Sequence, residues 1–578
     1  MNCSTNQIKT FKFNSKGLEE VKSHRHGEDW PVVYLIANKQ LIYVGETSNA
    51  ASRMSQHLAN PDRQGLKEMH ILFDDEFNKS AILDIENSLI QLISADNLFT
   101  LQNRNGGQSQ KHNYYQREKY QDKLPQIWSQ LQKMELASKD YDDIVNSDLF
   151  KFSPYNTLNE EQTIACYTIL SDIIDNLEAG YKAASVIHGS VGTGKTVVLI
   201  NILYRLVNST AVEMDNSDVD EELSPYLRIR SKIADYVARH GELKVGIVLP
   251  MTSIRSTLRT VFKETKNGLK ASMVISPSDV VKDEYDVLLV DEAHRLSHYS
   301  NIGWRGSYKK AVQALYGSDA DPNDYSTLDW ILKRSRYTVL VYDSAQSVKG
   351  SDITPEEYIN AFKGISVRND FLTTQMRCKG GSDYVDYLSG IFACSAQKQG
   401  IENYDFKLFD DVDLMVNAIK SKNSETGLCR NVAGYAWEWK SKGEKSLASI
   451  REKGLEDIEI QGNKYIWNMS NKEFTIRPQA IDEIGCIHTV QGYDLNYVGV
   501  IFGREIDYNP DENRIVINPD FFFDKNVALG ASQEQLREYI IRSYKVMMSR
   551  GIKGCYIYAC NENLRNYLER FVPKAPTL

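Results

Sequence analysis

The sequence of 578 residues predicts an α/β protein in which a small N-terminal domain precedes two domains built on parallel sheets. From Phe152 onward, short apolar runs alternate with longer helix-like segments, the pattern of parallel strands covered by helices. Two of those runs end in polar loops, one glycine-rich and one acidic. Before residue 110, a strand pair and two helix-like segments form a separate pattern. We expect domains at residues 1–110, 151–370 and 371–578, with 111–150 as a helical linker.

Composition limits the function. Hydrophobic residues make up 42% and charged residues 25%, as in ordinary globular proteins. No apolar run reaches the length of a membrane span and the N-terminus is polar, so we expect a cytoplasmic protein without a membrane partner. The net charge of -9 argues against passive coating of nucleic acid, but not against a motor that confines its cations to a groove. Eight cysteines without CxxC spacing indicate buried or incidental thiols.

The glycine-rich loop is a phosphate-binding motif. Gly189–Thr196 matches G-x4-G-K-[ST], with the strand-like Ala184–His188 before it and the helix-like Val197–Leu203 after it. Backbone N–H groups and the helix N-terminus would surround the phosphates of ATP. Lys195 would reach the β- and γ-phosphates, and Thr196 would bind Mg²⁺. The glycines of this motif are Gly189, Gly192 and Gly194.

The acidic loop follows a second strand about a hundred residues later. Val287–Val290 leads into Asp291 and Glu292, the arrangement in which one carboxylate holds Mg²⁺ and the next polarises the attacking water. A third strand, Tyr337–Tyr342, precedes Asp343–Gln346. Gln346 would then lie near the γ-phosphate and sense hydrolysis.

From about Phe152 to the C-terminus, the sequence resembles the superfamily 1 helicases, specifically the Schlafen-type helicase-like family found in bacteria. The segments that carry this resemblance are Leu158–Gln162 (Q motif), Val248–Ser253 (Ia), Asp291–Arg295 (II), Asp343–Gln346 (III), Leu372–Arg377 (IV), Cys429–Trp439 (a segment typical of this family), Ile487–Asp494 (V) and Tyr544–Gly551 (VI). The resemblance implies two RecA-like domains and an adenine contact from Gln162. Arg377 and Arg550 would reach the γ-phosphate from the opposite lobe, with a surface ion pair as the alternative for either.

The N-terminal pattern begins with a predicted hairpin. Pro31–Ile36 and Gln40–Gly45 are strand-like and are separated by a short turn. A helix-like segment then places Arg53 and His57 four residues apart on one face. A later helix-like segment carries Glu86, and Asn103 follows in a polar turn.

This order resembles the GIY-YIG nuclease domain over roughly residues 30–110. Tyr34 matches the first tyrosine and Tyr43–Gly45 the second triplet, while Val32 and Val33 replace the Gly and Ile of the first triplet. The resemblance implies that Glu86 holds Mg²⁺ or Mn²⁺ and that Arg53 neutralises the scissile phosphate. Tyr34 or Tyr43 would deprotonate or orient the nucleophile, with His57 in support.

Together these patterns predict an ATP-dependent motor coupled to a metal-dependent endonuclease, acting on nucleic acid, with DNA favoured and RNA possible. Antiviral defence is one setting for such a fusion. Two alternatives stay open: an ATP-dependent binding switch that never translocates, and a nuclease–helicase directed at RNA. Polarity, cleavage specificity and oligomeric state are not encoded in a recognisable motif.

Overall fold

The structure of the chain, a computed structural model, describes residues 7–103, 114–189, 192–209, 224–299, 302–343, 352–374, 378–444, 446–470, 474, 477–490, 493–524, 528 and 532–576. The chain forms two compact units. The first contains Met1–Tyr181, Thr196–Ile247 and Ser256–Val274, and the second contains Lys182–Lys195, Val248–Arg255 and Ile275–Leu578.

A five-stranded sheet forms the centre of the N-terminal region. Its strands are β1 (Gln7–Lys12), β2 (Val32–Ala37), β3 (Leu41–Thr47), β4 (Glu68–Phe73) and β5 (Thr100–Leu101), in the order β1-β4-β2-β3-β5. The predicted hairpin is present as β2 and β3, which pair antiparallel with Tyr34 opposite Gly45. Every residue of β2 is buried, because this apolar strand lies between β4 and β3.

Three helices accompany this sheet, and each begins at an asparagine cap. They are α1 (Ser15–Lys22), α2 (Ala50–Ala59) and α3 (Lys79–Asp96). The side chains of Asn14, Asn49 and Asn78 each accept a hydrogen bond from the backbone N–H three residues later. This contact satisfies an N–H group that the first helical turn cannot pair.

The predicted linker is helical and packs against the N-terminal region. It forms α4 (Arg117–Gln121), α5 (Leu124–Lys133), α6 (Tyr141–Asn146) and α7 (Asp148–Lys151). Lys123 Nζ lies 2.6 Å from Asp74 Oδ2 and 2.8 Å from Glu76 Oε2. The carboxylate of Asp96 accepts hydrogen bonds from the backbone N–H groups of residues 138 and 139. These contacts attach the linker to the residues that follow β4 and to α3.

A six-stranded sheet carries the phosphate loop. Its strands are β6 (Ala183–Gly189), β7 (Val245–Val248), β8 (Val274–Ile275), β9 (Tyr285–Val290), β10 (Ser335–Tyr342) and β11 (Ser366–Leu372), in the order β11-β6-β10-β9-β7-β8. β10 runs parallel to both β6 and β9, and β11 runs parallel to β6. The carboxyl ends of these strands therefore meet at one edge of the sheet.

Helices follow these strands as the alternating pattern predicts. They are α8 (Glu160–Ala179), α9 (Lys195–Val207), α10 (Ser224–His240), α11 (Thr252–Glu264), α12 (Arg305–Tyr316), α13 (Thr327–Arg334) and α14 (Pro355–Ala361). Within the second unit, Leu328 and Ile331 of α13 share a buried apolar cluster with Val186, Leu288 and Leu340.

A second, seven-stranded sheet lies in the C-terminal part of the chain. Its strands are β12 (Asp405–Leu408), β13 (Cys429–Ala433), β14 (Ile458–Ile460), β15 (Asn463–Trp467), β16 (Glu483–Gly485), β17 (Leu495–Phe502) and β20 (Gly551–Ala559), in the order β12-β20-β17-β13-β16-β15-β14. β14 pairs antiparallel with β15, and the other neighbours in this sheet are parallel. A separate hairpin contains β18 (Ile506–Asn509) and β19 (Arg514–Ile517).

The described residues of this C-terminal part form six helices: α15 (Gly381–Phe392), α16 (Val412–Thr426), α17 (Leu447–Glu452), α18 (Ile487–Val490), α19 (Gln533–Met548) and α20 (Glu562–Glu569). The two sheets with their helices confirm the predicted α/β class with parallel sheets.

The seven cysteines in the described ranges are free thiols, five of them buried. Among the helices described, none combines the length and apolar character needed to cross a bilayer.

Candidate functional site

The phosphate loop begins where β6 ends, at Gly189, and its residues 190–191 lie outside the described ranges. Gly192 and Gly194 have φ angles of 88° and 76°, a left-handed backbone that glycine adopts without steric cost. Lys195 and Thr196 are the first two residues of α9. The motif therefore lies between a strand end and a helix N-terminus, the arrangement that presents backbone N–H groups to phosphate.

Gly189 lies in a space that excludes a side chain. A Cβ atom there would be 2.7 Å from Thr193 Oγ1 and 2.9 Å from the carbonyl oxygen of Leu372. Both distances are below ordinary contact, so any larger residue would push the loop away from the end of β11. The first glycine of the motif is thus required by packing.

Lys195 and Asp343 form an ion pair that the sequence analysis did not predict. Lys195 Nζ lies 3.6 Å from Asp343 Oδ2 and donates a hydrogen bond to the carbonyl of Gly189. Asp343 directly follows β10, whose last residue, Tyr342, lies opposite His188 of β6. Because these strands are parallel neighbours, the residue after β10 reaches the phosphate loop.

The predicted acidic pair follows β9. Asp291 is 2% exposed, and its Oδ1 accepts a hydrogen bond from the backbone N–H of Glu292 at 3.0 Å. Its own N–H donates to the carbonyl of Val248 at 3.1 Å. Both contacts hold the carboxylate at the carboxyl edge of the sheet.

Glu292 has a φ of 51°, a left-handed backbone that residues with a Cβ rarely adopt. Its Oε2 lies 2.9 Å from His294 Nε2. Burial alone would raise the pKa of Glu292, but His294, Arg295 and Lys195 outweigh that effect and hold the pKa well below its usual range. The carboxylate is therefore ionised at neutral pH and can accept a hydrogen bond from water. His294 is the second residue at this site that the sequence analysis did not assign.

Gln162, predicted to contact adenine, forms part of a capping box at the start of α8. Its Oε1 accepts a hydrogen bond from the backbone N–H of Asn159 at 2.9 Å, and the Asn159 side chain accepts one from the Gln162 N–H. The side chain of Gln162 is buried. Its amide oxygen is thus engaged in helix capping.

Of the predicted second-lobe and sensor residues, the structure describes Arg550, whereas Gln346 and Arg377 lie outside the described ranges. Arg550 is 1% exposed, and its Nε donates to the carbonyl of Val546 at 3.1 Å. The side chain of Arg550 is therefore inside the protein and not at its surface.

The N-terminal region brings together the residues predicted for a nuclease. Tyr34 Oη lies 2.7 Å from His57 Nε2 and accepts a hydrogen bond from Arg53 Nε at 3.3 Å. Arg53 and His57 lie one turn apart on α2, as predicted, and both are buried. The ring of Tyr43 is 5.2 Å from that of His57 and 6.2 Å from that of Tyr34, measured between centroids.

Gly45 and Asn103 shape this cluster without supplying chemistry. A Cβ atom at Gly45 would lie 2.4 Å from the Tyr34 hydroxyl, so the ring of Tyr34 occupies the space of a missing side chain. Asn103 hydrogen-bonds both backbone groups of Val44, its Nδ2 donating at 2.7 Å and its Oδ1 accepting at 2.9 Å. Asn103 therefore holds β3 between Tyr43 and Gly45.

The protonation of this cluster follows from burial and its arginines. Burial, followed by the charges of Arg53 and Arg63, lowers the pKa of His57 to about 3, so the ring is neutral at physiological pH. Burial raises the pKa of Tyr34 well above its usual value. Burial and then the Glu86 charge raise the pKa of Tyr43, while Arg63 and Arg53 oppose them. Arg63 is a cluster member that the sequence analysis missed.

The metal sites implied by both resemblances fit the donors present. Glu86, on α3, is 8% exposed, and its charge acts on both tyrosines of the cluster. Within the described ranges no three His, Cys, Asp or Glu side chains gather as a metal cage. Mg²⁺ suits such a place, because it retains several waters and needs one or two carboxylates. Glu86 in the N-terminal region and Thr196 with Asp291 in the phosphate site are the residues that would hold it.

Comparisons with known proteins assign the family. A family model described as Schlafen group 3, DNA/RNA helicase domain, matches residues 182–561. The uncharacterized protein YPL245W of Saccharomyces cerevisiae is 26% identical over 455 residues, which cover 72% of this chain and 91% of the yeast protein.

Among solved structures, the Pif1 helicase from Candida albicans is 12% identical with a TM-score of 0.25, covering 73% of this chain and 97% of that chain. The arterivirus nonstructural protein 10 helicase, solved with DNA, is 12% identical with a TM-score of 0.27, covering 69% and 65%. These structural similarities do not assign the family. The family is assigned by the family model, which matches more than half of the sequence. The chain belongs to the Schlafen group 3 DNA/RNA helicase domain family.

Proposed function

We propose that the chain is an ATP-driven nucleic-acid motor. The observation that carries the proposal is the meeting of the phosphate loop with the carboxylates of Asp291, Glu292 and Asp343 at one edge of a parallel sheet. Membership in a DNA/RNA helicase domain family supports nucleic acid as the track. DNA is the favoured substrate and RNA the second.

Each residue of this site has one task in hydrolysis. Lys195 would exchange its contacts with Gly189 and Asp343 for the β- and γ-phosphates of ATP. Glu292, held ionised by its cationic neighbours, would orient the attacking water. Thr196 and Asp291 would hold a magnesium ion whose charge offsets that of the phosphates. Arg377 and Arg550 would reach the γ-phosphate from the opposite lobe, and Gln346 would sense its hydrolysis.

The first prediction is that ATP turnover depends on Lys195 and Glu292. Lys195→Ala and Glu292→Gln should each lower turnover at least ~100-fold, because phosphoryl transfer depends on positioning and charge. Glu292→Gln should still bind ATP, whereas Lys195→Ala should bind it weakly. Steady-state hydrolysis and nucleotide binding measure the two effects separately.

Lys182→Ala and Glu284→Gln are matched controls. These residues lie next to the amino ends of β6 and β9, the ends away from the phosphate loop. Both controls should hydrolyse ATP like the wild type. Near-normal hydrolysis by Lys195→Ala or Glu292→Gln would contradict the motor.

An ATP-dependent switch that binds nucleic acid without moving is the alternative use of the same site. Hydrolysis measured without nucleic acid and with single-stranded DNA, duplex DNA or RNA identifies the substrate that stimulates turnover. Strand displacement on that substrate identifies a motor, and stimulated turnover without displacement identifies a switch.

We further propose that the N-terminal region is a metal-dependent endonuclease of GIY-YIG type. The supporting observation is the cluster of Tyr34, Tyr43, Arg53 and His57 with the buried carboxylate Glu86 nearby. Arg53 would bind the scissile phosphate. A neutral His57 can accept a hydrogen bond from the Tyr34 hydroxyl, whose oxygen could in turn accept a hydrogen bond from a nucleophilic water and so orient it.

Supercoiled plasmid, single-stranded DNA and RNA test this proposal on the full chain. Nicking or cleavage should require Mg²⁺ or Mn²⁺ and should stop when a chelator is added. If none of these substrates is cut with either metal, with ATP present, the region is a binding module. A role in antiviral defence stays a prediction that these assays do not address.

A further inference from the structure

Arg63 lies beside the cluster of Tyr34, Tyr43, Arg53 and His57 in the N-terminal region, although no sequence motif predicts this position. It ends a short 3-10 turn, Pro61–Arg63, in which the side chain of Asn60 accepts a hydrogen bond from the N–H of Asp62. The turn follows α2 and places the guanidinium Cζ of Arg63 3.9 Å from the centroid of the Tyr43 ring. A cation at this distance from a ring face is attracted to it.

A second contact orients the same guanidinium. Arg63 Nη1 donates a hydrogen bond to Gln102 Oε1 at 2.6 Å. Gln102 is itself attached to β3, because its backbone N–H donates to the carbonyl of Ile42 at 2.8 Å. These two contacts, with an aromatic face and a neutral amide, orient the guanidinium group.

The positive charge of Arg63 affects the pKa values of two residues in the cluster. Together with Arg53, it lowers the pKa of His57 and opposes the rise in the pKa of Tyr43. Arg53 and Arg63 oppose the charge of Glu86, which leaves these three side chains with a net charge of +1. Such a balance suits a phosphodiester, whose negative charge increases as a nucleophile attacks.

We propose that Arg63 is a second phosphate-contacting residue of the N-terminal site, presented to the substrate by Tyr43 and Gln102. The proposal rests on the nuclease function proposed above. Arg53 is directed at Tyr34 and Arg63 at Tyr43, so the two guanidinium groups would approach the phosphate from different tyrosines. Each can bind phosphate oxygens through two N–H groups.

The test compares Arg63→Gln, Arg63→Lys and a control, Arg25→Gln, in the full chain. Arg25 belongs to the same region but is exposed and pairs with Asp75. Cleavage of a duplex oligonucleotide gives kcat and KM. Binding of the same duplex with Ca²⁺ in place of Mg²⁺, measured over a series of salt concentrations, gives the number of phosphate contacts without relying on cleavage.

Arg63→Gln should lower kcat/KM about 10- to 100-fold, as expected for loss of a charged hydrogen bond. It should also reduce the slope of log binding constant against log salt by about 0.9. Arg63→Lys should recover part of kcat/KM and all of the slope, because it keeps the charge but loses the planar fork. Arg25→Gln should match the wild type in both measurements.

An unchanged slope in Arg63→Gln would overturn the proposal. So would equal losses of kcat/KM in the Gln and Lys variants with equally lowered melting temperatures, since that pattern describes an arginine that only packs on Tyr43. If the wild type does not cut, the nuclease proposal fails, and the salt slope still decides whether Arg63 contacts phosphate.

Discussion

At the scale of single residues, a buried carboxyl group, that of Glu505, lies between β17 and β18 in the C-terminal part of the chain. Glu505 is fully buried, and its Oε1 accepts a hydrogen bond from the hydroxyl of Tyr544, on α19. A Cβ atom at Gly434 or Gly503 would lie within 2.3 Å of a carboxylate oxygen of Glu505. Burial raises the pKa of Glu505 to about 7, with the Tyr544 hydrogen bond opposing the rise.

This shift predicts how stability depends on pH. The folded protein holds the Glu505 proton up to about pH 7, whereas the unfolded chain releases it above about 4.5. The contribution of Glu505 to the free energy of unfolding is therefore fully present below pH 4.5 and is lost as the pH rises through 7. The loss is on the order of 3 kcal/mol.

Melting temperatures between pH 5 and 8 check this expectation. Glu505→Gln keeps an acceptor for Tyr544 but cannot ionise, so its melting temperature should fall less over this range than that of the wild type. The exposed Glu438, changed to Gln, should leave the profile unaltered. Parallel curves for wild type and Glu505→Gln would show that the buried carboxyl does not carry the dependence.

At the scale of elements, the β2–β3 hairpin determines where the cluster of Tyr34, Tyr43, Arg53 and His57 can form. Tyr34 and Gly45 are opposite each other in its register, and the Tyr34 ring fills the space above Gly45. Asn103 holds β3 through both backbone groups of Val44. The second triplet of the sequence motif thus has a steric meaning, since its glycine makes room for the tyrosine of the first.

Gly45→Ala should therefore displace Tyr34 from His57. We expect a loss of about 1–3 kcal/mol in stability from overpacking, together with loss of any cleavage. Gly65→Ala is the matched control, because a Cβ atom there meets its nearest neighbour, Asn38 Nδ2, at 3.9 Å. Thermal unfolding and the nicking assay should separate the two variants, and equal behaviour would contradict this account of the hairpin.

At the scale of the whole molecule, the two proposed activities use different residues and different metal sites. Glu86 lies on α3 of the N-terminal region, and Asp291 follows β9 of the second unit. Neither proposed chemistry requires a side chain of the other. Two such sites should respond independently to substitution.

Glu86→Ala should abolish nicking and leave ATP hydrolysis at the wild-type rate. Lys195→Ala should strongly lower ATP hydrolysis and leave the nicking of supercoiled plasmid at the wild-type rate. Running both variants through both assays checks this. Cutting by Glu86→Ala at the wild-type rate would show that the metal ligand is misassigned. Loss of nicking in Lys195→Ala would show that cutting depends on ATP.

Local patterns in the sequence determined the elements and the residues next to them in the chain. The two strand-like runs Pro31–Ile36 and Gln40–Gly45, separated by a short turn, predicted the hairpin, and the spacing of Arg53 and His57 predicted one helical face. The phosphate loop and Asp291–Glu292 were found because each is a short continuous segment after an apolar run. Periodicity and short motifs are read from neighbours, so they succeed where the structure is local.

Contacts between distant residues were decided only by the tertiary structure. Asp343 reaches Lys195 because β10 lies beside β6. Arg63 approaches Tyr43, and Glu505 approaches Tyr544, across shorter separations in the sequence. The burial of Arg550 likewise depends on the packing around it. Strand order, register and burial create these contacts, and they depend on how all elements pack together, which no local segment encodes.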